Sequence, residues 1–507
     1  MALKGERYAS RDIPTAAMAA IVGIIALRYG ISAFLEGMII IAVLLIGVTH
    51  EEWLLFIVMF SAIFYTPLTG VSTRIGGILI IPMDVLYLLL MCIIMVKPLW
   101  GERIFLDVHD PLKYESGFTH VVTGVFLVIF FAATIQGFFQ YHYWQTILTE
   151  AKVGLYFGAI PLLADLFRKR TIRLETFLIF VVSATSLGCV YDLYARICHV
   201  YTVGTFTGGA VGEVSYAYMT AGEIVRDYGW GSTFVYQVFS VLISFTFFLK
   251  AKDVLGRFGW ICLFVINLLS NLLTVTRGFM VGLFVGLTSI IFLSSLNVPL
   301  SEGVFRMKRI GRMMMASLVL LGLVVSVVWI VPQTGAAFDR IYGLYDGHYA
   351  GDGDVSNMEF RIQSMQTGLS SAWRNPLGMG FGYMEPSSSL SSGQERIRKL
   401  VYHNSLGFML YKFGFPGTFL ILGIFSFLIL RLYRLRNENE TDERVRICLI
   451  SSLLSLLSMS FTSTNWLFDH SCVLPFVVVL IAVSVFMIDD SFRIKRAWLC
   501  AESADMW

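Results

Sequence analysis

Arg277 opens the apolar run 277–296, inside the tripeptide Thr276-Arg277-Gly278. A guanidinium at such a boundary either snorkels to the interface or faces a water-filled cavity and holds an anion. Its fork of N–H groups suits phosphate, because two parallel charge-assisted hydrogen bonds form at once. A second group of candidates sits in the hydrophilic stretch 333–404. That stretch starts with Asp339-Arg340 and an acidic, Gly-rich turn. An amphipathic helix is expected from about Asn357 to Trp373, with Arg361 near its start. The segment PLGMGFG (376–382) follows, and its three alternate glycines suit a tight backbone beside a ligand. His403-Asn404 then stands at the mouth of the next apolar run.

The elements that must position these residues are membrane helices. The 507 residues are 56% hydrophobic and only 14% charged, with a mean hydropathy of +0.72. Soluble domains carry about 25% charged residues, and the departure is in the membrane direction. A span needs about 20 mainly apolar residues. Such runs lie near 14–29, 32–48, 53–67, 77–97, 118–138, 150–167, 174–196, 232–249, 257–273, 277–296, 313–332, 405–430, 447–462 and 470–488. The expected fold is an all-α polytopic bundle of about 12–14 transmembrane helices, forming a single integral membrane domain over 1–507. Lys and Arg set the orientation. They collect at the N-terminus, at 168–173, 250–257, 306–312 and 431–446, and near the C-terminus. The parity of the fourteen runs puts every cluster on one side, so both termini are expected in the cytoplasm.

Two segments then face outward: 197–231, rich in Gly, Thr and Tyr, and the large, partly helical loop 333–404. No polar segment is long enough to build a soluble core. No fixed-period repeat or cleavable signal peptide is read from the sequence. The net charge of +3 gives no sign of nucleic-acid binding. The seven cysteines form no CxxC and sit mostly in apolar runs, so they read as small buried hydrophobes.

Several residues together resemble the O-antigen ligase and polymerase superfamily. They are Thr276-Arg277-Gly278 at a helix start, Arg361 followed by NPLGMGFG, and His403-Asn404 before Leu406 and the run from Lys412 to Gly417 (KFGFPG). The stretch IGGILIIPMD (75–84) resembles the family's Pro-x-Asp helix start. The resemblance is specific across about 270–430. It implies a GT-C-like, metal-independent membrane glycosyltransferase with no cofactor, in the bacterial inner membrane, with its active site on the periplasmic face. The donor would be a glycan on undecaprenyl pyrophosphate, and the acceptor a sugar hydroxyl, attacked with inversion. Arg277 and Arg361 would neutralise charge growing on the pyrophosphate. His403 would take the proton of the acceptor hydroxyl, as an imidazole suits at neutral pH. Its plainer role would be to cap the following helix. Arg226 loosely resembles another basic residue of the family, and Arg340 could join it on phosphate; solvation, or pairing with Asp339, accounts for them equally well. Asp469-His470 at the last outer turn makes His470 a rival base.

Within that resemblance, chain length and the extra spans lean towards a polymerase of O-antigen or exopolysaccharide repeat units. A ligase to lipid A-core is the alternative, and a chain-length regulator a candidate partner beside membrane lipids. A secondary transporter or exporter is the competing class. Its support is the span count and the carboxylates Asp84, Asp165 and Asp192 in or near spans, which suggest ion coupling unless each caps or bonds a neighbouring helix.

Overall fold

The computed structural model describes residues 51–63, 73–75, 78–80, 82–96, 117–140, 144–168, 173–197, 233–251, 253–273, 277–296, 357–382, 404–435, 440–462 and 473–504. It is an all-α bundle; among these residues the β structure is one short antiparallel hairpin, β1 (Thr73–Ile75) with β2 (Ile78–Ile80). The helices are α1 (Glu51–Ile63), α2 (Pro82–Val96), α3 (Gly117–Gln140), α4 (Trp144–Ala151), α5 (Val153–Gly158), α6 (Ile160–Arg168) and α7 (Leu174–Ile197). They continue as α8 (Thr233–Lys250), α9 (Val254–Leu273), α10 (Arg277–Leu296), α11 (Asn357–Arg374), α12 (Ser405–Arg434), α13 (Glu440–Thr462) and α14 (Val473–Ala504).

Five segments among the described residues are long and apolar enough to cross a bilayer: Gly117–Gln140, Trp144–Arg168, Val254–Leu272, Ser405–Arg434 and Glu443–Phe461. Leu174–Val190, Tyr236–Lys250 and Phe279–Ser294 are shorter apolar helices. All eight coincide with runs read from the sequence. The expected spans 14–29, 32–48 and 313–332 lie outside the described residues. A run of this kind is helical because hydrocarbon offers backbone groups no water, so every N–H and C=O must pair within the segment. Phe131, Phe139, Phe284 and Phe419 are exposed on these helices, as lipid contact requires.

The chain forms two compact units, one of residues 1–58 with 86–107 and one of 59–85 with 108–507. In the first, the rings of Trp53 and Phe56 meet edge to face, 6.2 Å apart. Every candidate site residue belongs to the second.

At one end of that second unit the basic residues converge. Lys250 Nζ pairs with Glu443 at 2.7 Å, and Arg444 donates to the Lys250 carbonyl at 2.9 Å. Arg257 donates to Ala251 O, and Arg446 to Leu435 O. Arg168 reaches Asp489, which accepts from Thr119 Oγ1 at 2.5 Å. Burial pushes the Asp489 carboxyl up, against the pull of Thr119 and Arg168. Phe118 lies tilted against Phe427, their rings 5.0 Å apart, and the face of Phe427 lies under Arg431. Clustering of cations at one end agrees with the parity read from the sequence.

Asp84 lies in the first turn of α2. It accepts from Lys152 Nζ and from Tyr156 Oη, each at 2.6 Å. Asp165 pairs with Arg168 one turn on, at 3.9 Å. Both carboxylates therefore bind protein cations, Asp84 across to Lys152 of another segment and Asp165 within its own helix. Replacing Asp84 with Asn should cost about 3 kcal/mol of stability, the lower range for breaking a buried pair, and leave function in place. A fall in melting temperature with activity retained is the expected result. Total loss of function in a well-folded Asp84→Asn protein would instead favour ion-coupled transport.

Candidate active site

The kink in α12 organises the site. Pro416 has no N–H, so the carbonyl of Lys412 has no donor four residues on. Gly414 adopts φ 62°, ψ −163°, a conformation open essentially to glycine alone. The Phe415 N–H consequently leaves the helix and donates to Pro376 O at 3.0 Å, which frees Tyr411 O as well. The segment 375–382 fills both vacancies. Met379 N–H donates to Tyr411 O (2.8 Å), and Gly380 N–H to Lys412 O (3.1 Å).

Three more amides of this strap are paired. Gly378 N–H donates to Asn375 O (2.8 Å), Phe381 N–H to Ala133 O of α3 (2.9 Å), and Gly382 N–H to Glu150 Oε2 (2.8 Å). Gln136 Nε2 donates to Gly378 O. Irregular backbone beside spanning helices survives only if it is satisfied like this. Phe381 closes the packing, 6.0 Å from Phe130 and edge-on to Phe413 at 5.7 Å.

Gly378, Gly380 and Gly382 have φ of 88°, 74° and 74°. A Cβ on Gly380 would stand 2.7 Å from Gly137 N, and one on Gly378 2.5 Å from Lys412 O. At Gly378 and Gly380 the close neighbour that demands glycine is the protein's own backbone, and at Gly382 it is Ile147.

α11 precedes the strap and matches the helix expected from about Asn357 to Trp373. Its buried face is small: Ser364, Gly368 and Ala372. Gly368 lies against Gly407, and a Cβ on Gly407 would stand 2.9 Å from Ser364 O. Further along, Trp373 meets Phe415 edge to face at 5.9 Å. The two helices thus run side by side in the same direction. The outer face of α11 carries Ile362, Met365, Leu369 and Trp373, all exposed and spaced three or four apart. Such a stripe beside spanning helices suits lipid. Leu369→Glu is expected to weaken retention of folded protein in the membrane, scored by yield after mild extraction, whereas Ser370→Glu on the polar flank should not.

Asn404 caps α12. Its side-chain oxygen accepts from Leu406 N (2.9 Å) and Gly407 N (3.2 Å), with extended backbone at φ −146°, ψ 120°. Its Nδ2 donates to Phe461 O at the end of α13 (3.3 Å). The helix-capping job considered for His403 therefore belongs to its neighbour.

Contacts also locate the start of α10. Gly282 packs on α13, where a Cβ would lie 3.0 Å from Ser455 Oγ and 2.8 Å from Met459 Sδ. Arg277 begins α10 five residues earlier, about 7.5 Å along the axis. Arg361 lies one turn ahead of Ser364 on α11. The starts of α10, α11 and α12 therefore gather around the end of α13, away from the cationic end. Arg277, Arg361 and Asn404 are brought to this end; His403 is one residue from Asn404 and lies outside the described residues. So do Arg226, Arg340 and His470.

Sequence reasoning missed one pair. Lys412 Nζ bonds Glu150 Oε2 at 2.8 Å, with side chains 2% and 9% exposed. The signal was legible: a single lysine inside the run 405–430, and a carboxylate at the start of another run, each needing a partner.

Residues 262–422 match the family model described as O-Antigen ligase. The chain carries an O-antigen ligase-like segment. It begins within α9, includes α10, α11 and the strap, and ends in α12 past the kink, roughly a third of the chain. The resemblance read from Arg277, Arg361 and His403 falls inside it. The O-antigen ligase-like family is one of glycosyltransferase-like membrane enzymes acting on lipid-linked glycans. No curated protein matches the chain.

Proposed function

We propose that the protein transfers an undecaprenyl-pyrophosphate-linked glycan to a sugar hydroxyl with inversion, as a metal-independent polymerase of O-antigen or exopolysaccharide repeat units. The observation that carries this reading is the gathering of three helix starts within the O-antigen ligase-like segment. Two of them bear Arg277 and Arg361, and the third follows His403. Pyrophosphate on a lipid is already a good leaving group, so the site's main task is to hold the charge that grows on it. Arg277 and Arg361 take that task, with Arg226 and Arg340 as further phosphate contacts. His403 accepts the proton of the attacking hydroxyl, with His470 as the rival base.

On this reading the protein is a GT-C-like enzyme of the bacterial inner membrane, with cytoplasmic termini and a periplasmic site, working with a chain-length regulator. The cationic end formed by Lys250, Arg257, Arg444 and Arg446 supports that orientation.

The family description favours one specific alternative, a ligase that moves the finished chain to lipid A-core. Proteoliposomes holding only lipid-linked repeat units separate the two. Polymer growing without added acceptor is the expected result. Transfer only after lipid A-core is supplied would make the protein a ligase. Wild type inert with every donor and acceptor, but collapsing a substrate gradient, would make it a transporter.

A further inference from the structure

We propose that Glu150 and Lys412 are positioning residues for glycan transfer, forming a clamp that sets the register of α11 against the start of α12; this rests on the transferase reading above. One carboxylate oxygen, Glu150 Oε2, receives both Lys412 Nζ and Gly382 N–H at 2.8 Å. It therefore ties the last strap glycine to α12 at a single point. Glu150 lies on α4, outside the O-antigen ligase-like segment, while Lys412 and Gly382 lie within it. The clamp is thus an anchor of that segment to the neighbouring span Trp144–Arg168.

The lever arms on the other side are short. Lys412 is eight residues past Asn404, about 12 Å along the helix axis. Gly382 ends the strap that extends directly from α11, whose second turn holds Arg361. With the strap amides fixed to Tyr411 O, Lys412 O, Ala133 O and Glu150, α11 has no freedom to slide along α12. Stability alone does not call for charge here. A well-packed apolar pair of similar volume is often as stable as a buried ion pair, or more so. What an apolar pair lacks is direction: it would not tie the Gly382 N–H to α12 at a defined point.

Two variants of the full-length protein in nanodiscs test the clamp. Lys412→Met removes the cation paired with a buried carboxylate and should lower the melting temperature. Glu150→Gln/Lys412→Met removes both charges and keeps an oxygen for Gly382 but breaks the link from that oxygen to α12, so its melting temperature should return close to wild type. Amide exchange across 376–382 should nevertheless quicken by about tenfold or more in the double variant. Turnover with undecaprenyl-pyrophosphate-linked repeat units should fall about 10-fold to 100-fold with KM little changed, as expected when reacting groups are misplaced by about 1 Å. If turnover recovers together with stability, or if exchange stays at the wild-type level, the pair is merely structural and the proposal is overturned. A wild type that turns over no donor overturns the transferase reading instead; exchange across 376–382 then still tells a clamp from a bystander pair.

Discussion

Alanine in place of His403 is expected to lower glycan-transfer turnover about 10²–10⁴-fold, the range for losing a general base. Donor affinity should stay near wild type, because the proposed assignment gives the pyrophosphate to the arginines and not to the imidazole. The substitution isolates chemistry well, since the helix it precedes is capped by Asn404 through Leu406 and Gly407 N–H groups. Asn404→Ala is the contrasting variant. It removes the cap and the bond to Phe461 O, and should cost about 1 kcal/mol or more of stability. Single-turnover rates and melting curves on both proteins separate the two effects. A His403→Ala protein that transfers at the wild-type rate would move the base to His470.

The largest structural effect is expected at Gly414. Its φ of 62° with ψ −163° costs any other residue about 1–3 kcal/mol. A Cβ there would also overlap Pro376 O and crowd Gly378 N, both backbone atoms with no rotamer to yield. Gly414→Ala should therefore destabilise the protein by about 3 kcal/mol or more once overpacking is added. Gly423 lies nine residues along the same helix with open space around it. Gly423→Ala should be neutral or stabilise by about 0.4–1 kcal/mol. Equal melting temperatures for the two alanine variants would contradict the account of the kink.

Much of this was legible beforehand because hydrocarbon imposes its pattern on sequence. Runs such as 118–138 and 447–462 can only be helices in a bilayer, and α11 was readable from its period. The strap was half legible. Three alternate glycines announced a close approach, yet periodicity does not say what approaches: at Gly378 and Gly380 it is the backbone of α12 and α3, and at Gly382 it is Ile147. Pro416 stands inside the run 405–430, but its effect on Tyr411 O and Lys412 O depends on a segment more than thirty residues upstream. The Glu150–Lys412 pair was missed because its partners are 262 residues apart. Asp84 read as a possible coupling ion site for the same reason: Lys152 and Tyr156 come to it only through tertiary packing.

The central claim is that Arg277 and Arg361 hold the donor pyrophosphate that His403-assisted attack displaces. The most direct measurement is transfer from an undecaprenyl-pyrophosphate-linked repeat unit in proteoliposomes, with and without EDTA, by wild type, Arg277→Ala and Arg361→Ala. Transfer that resists EDTA in wild type and falls at least about 10²-fold in each arginine variant, the loss typical of removing one charge-stabilising donor, is the predicted result. Arginine variants that fold and transfer at the wild-type rate would contradict it.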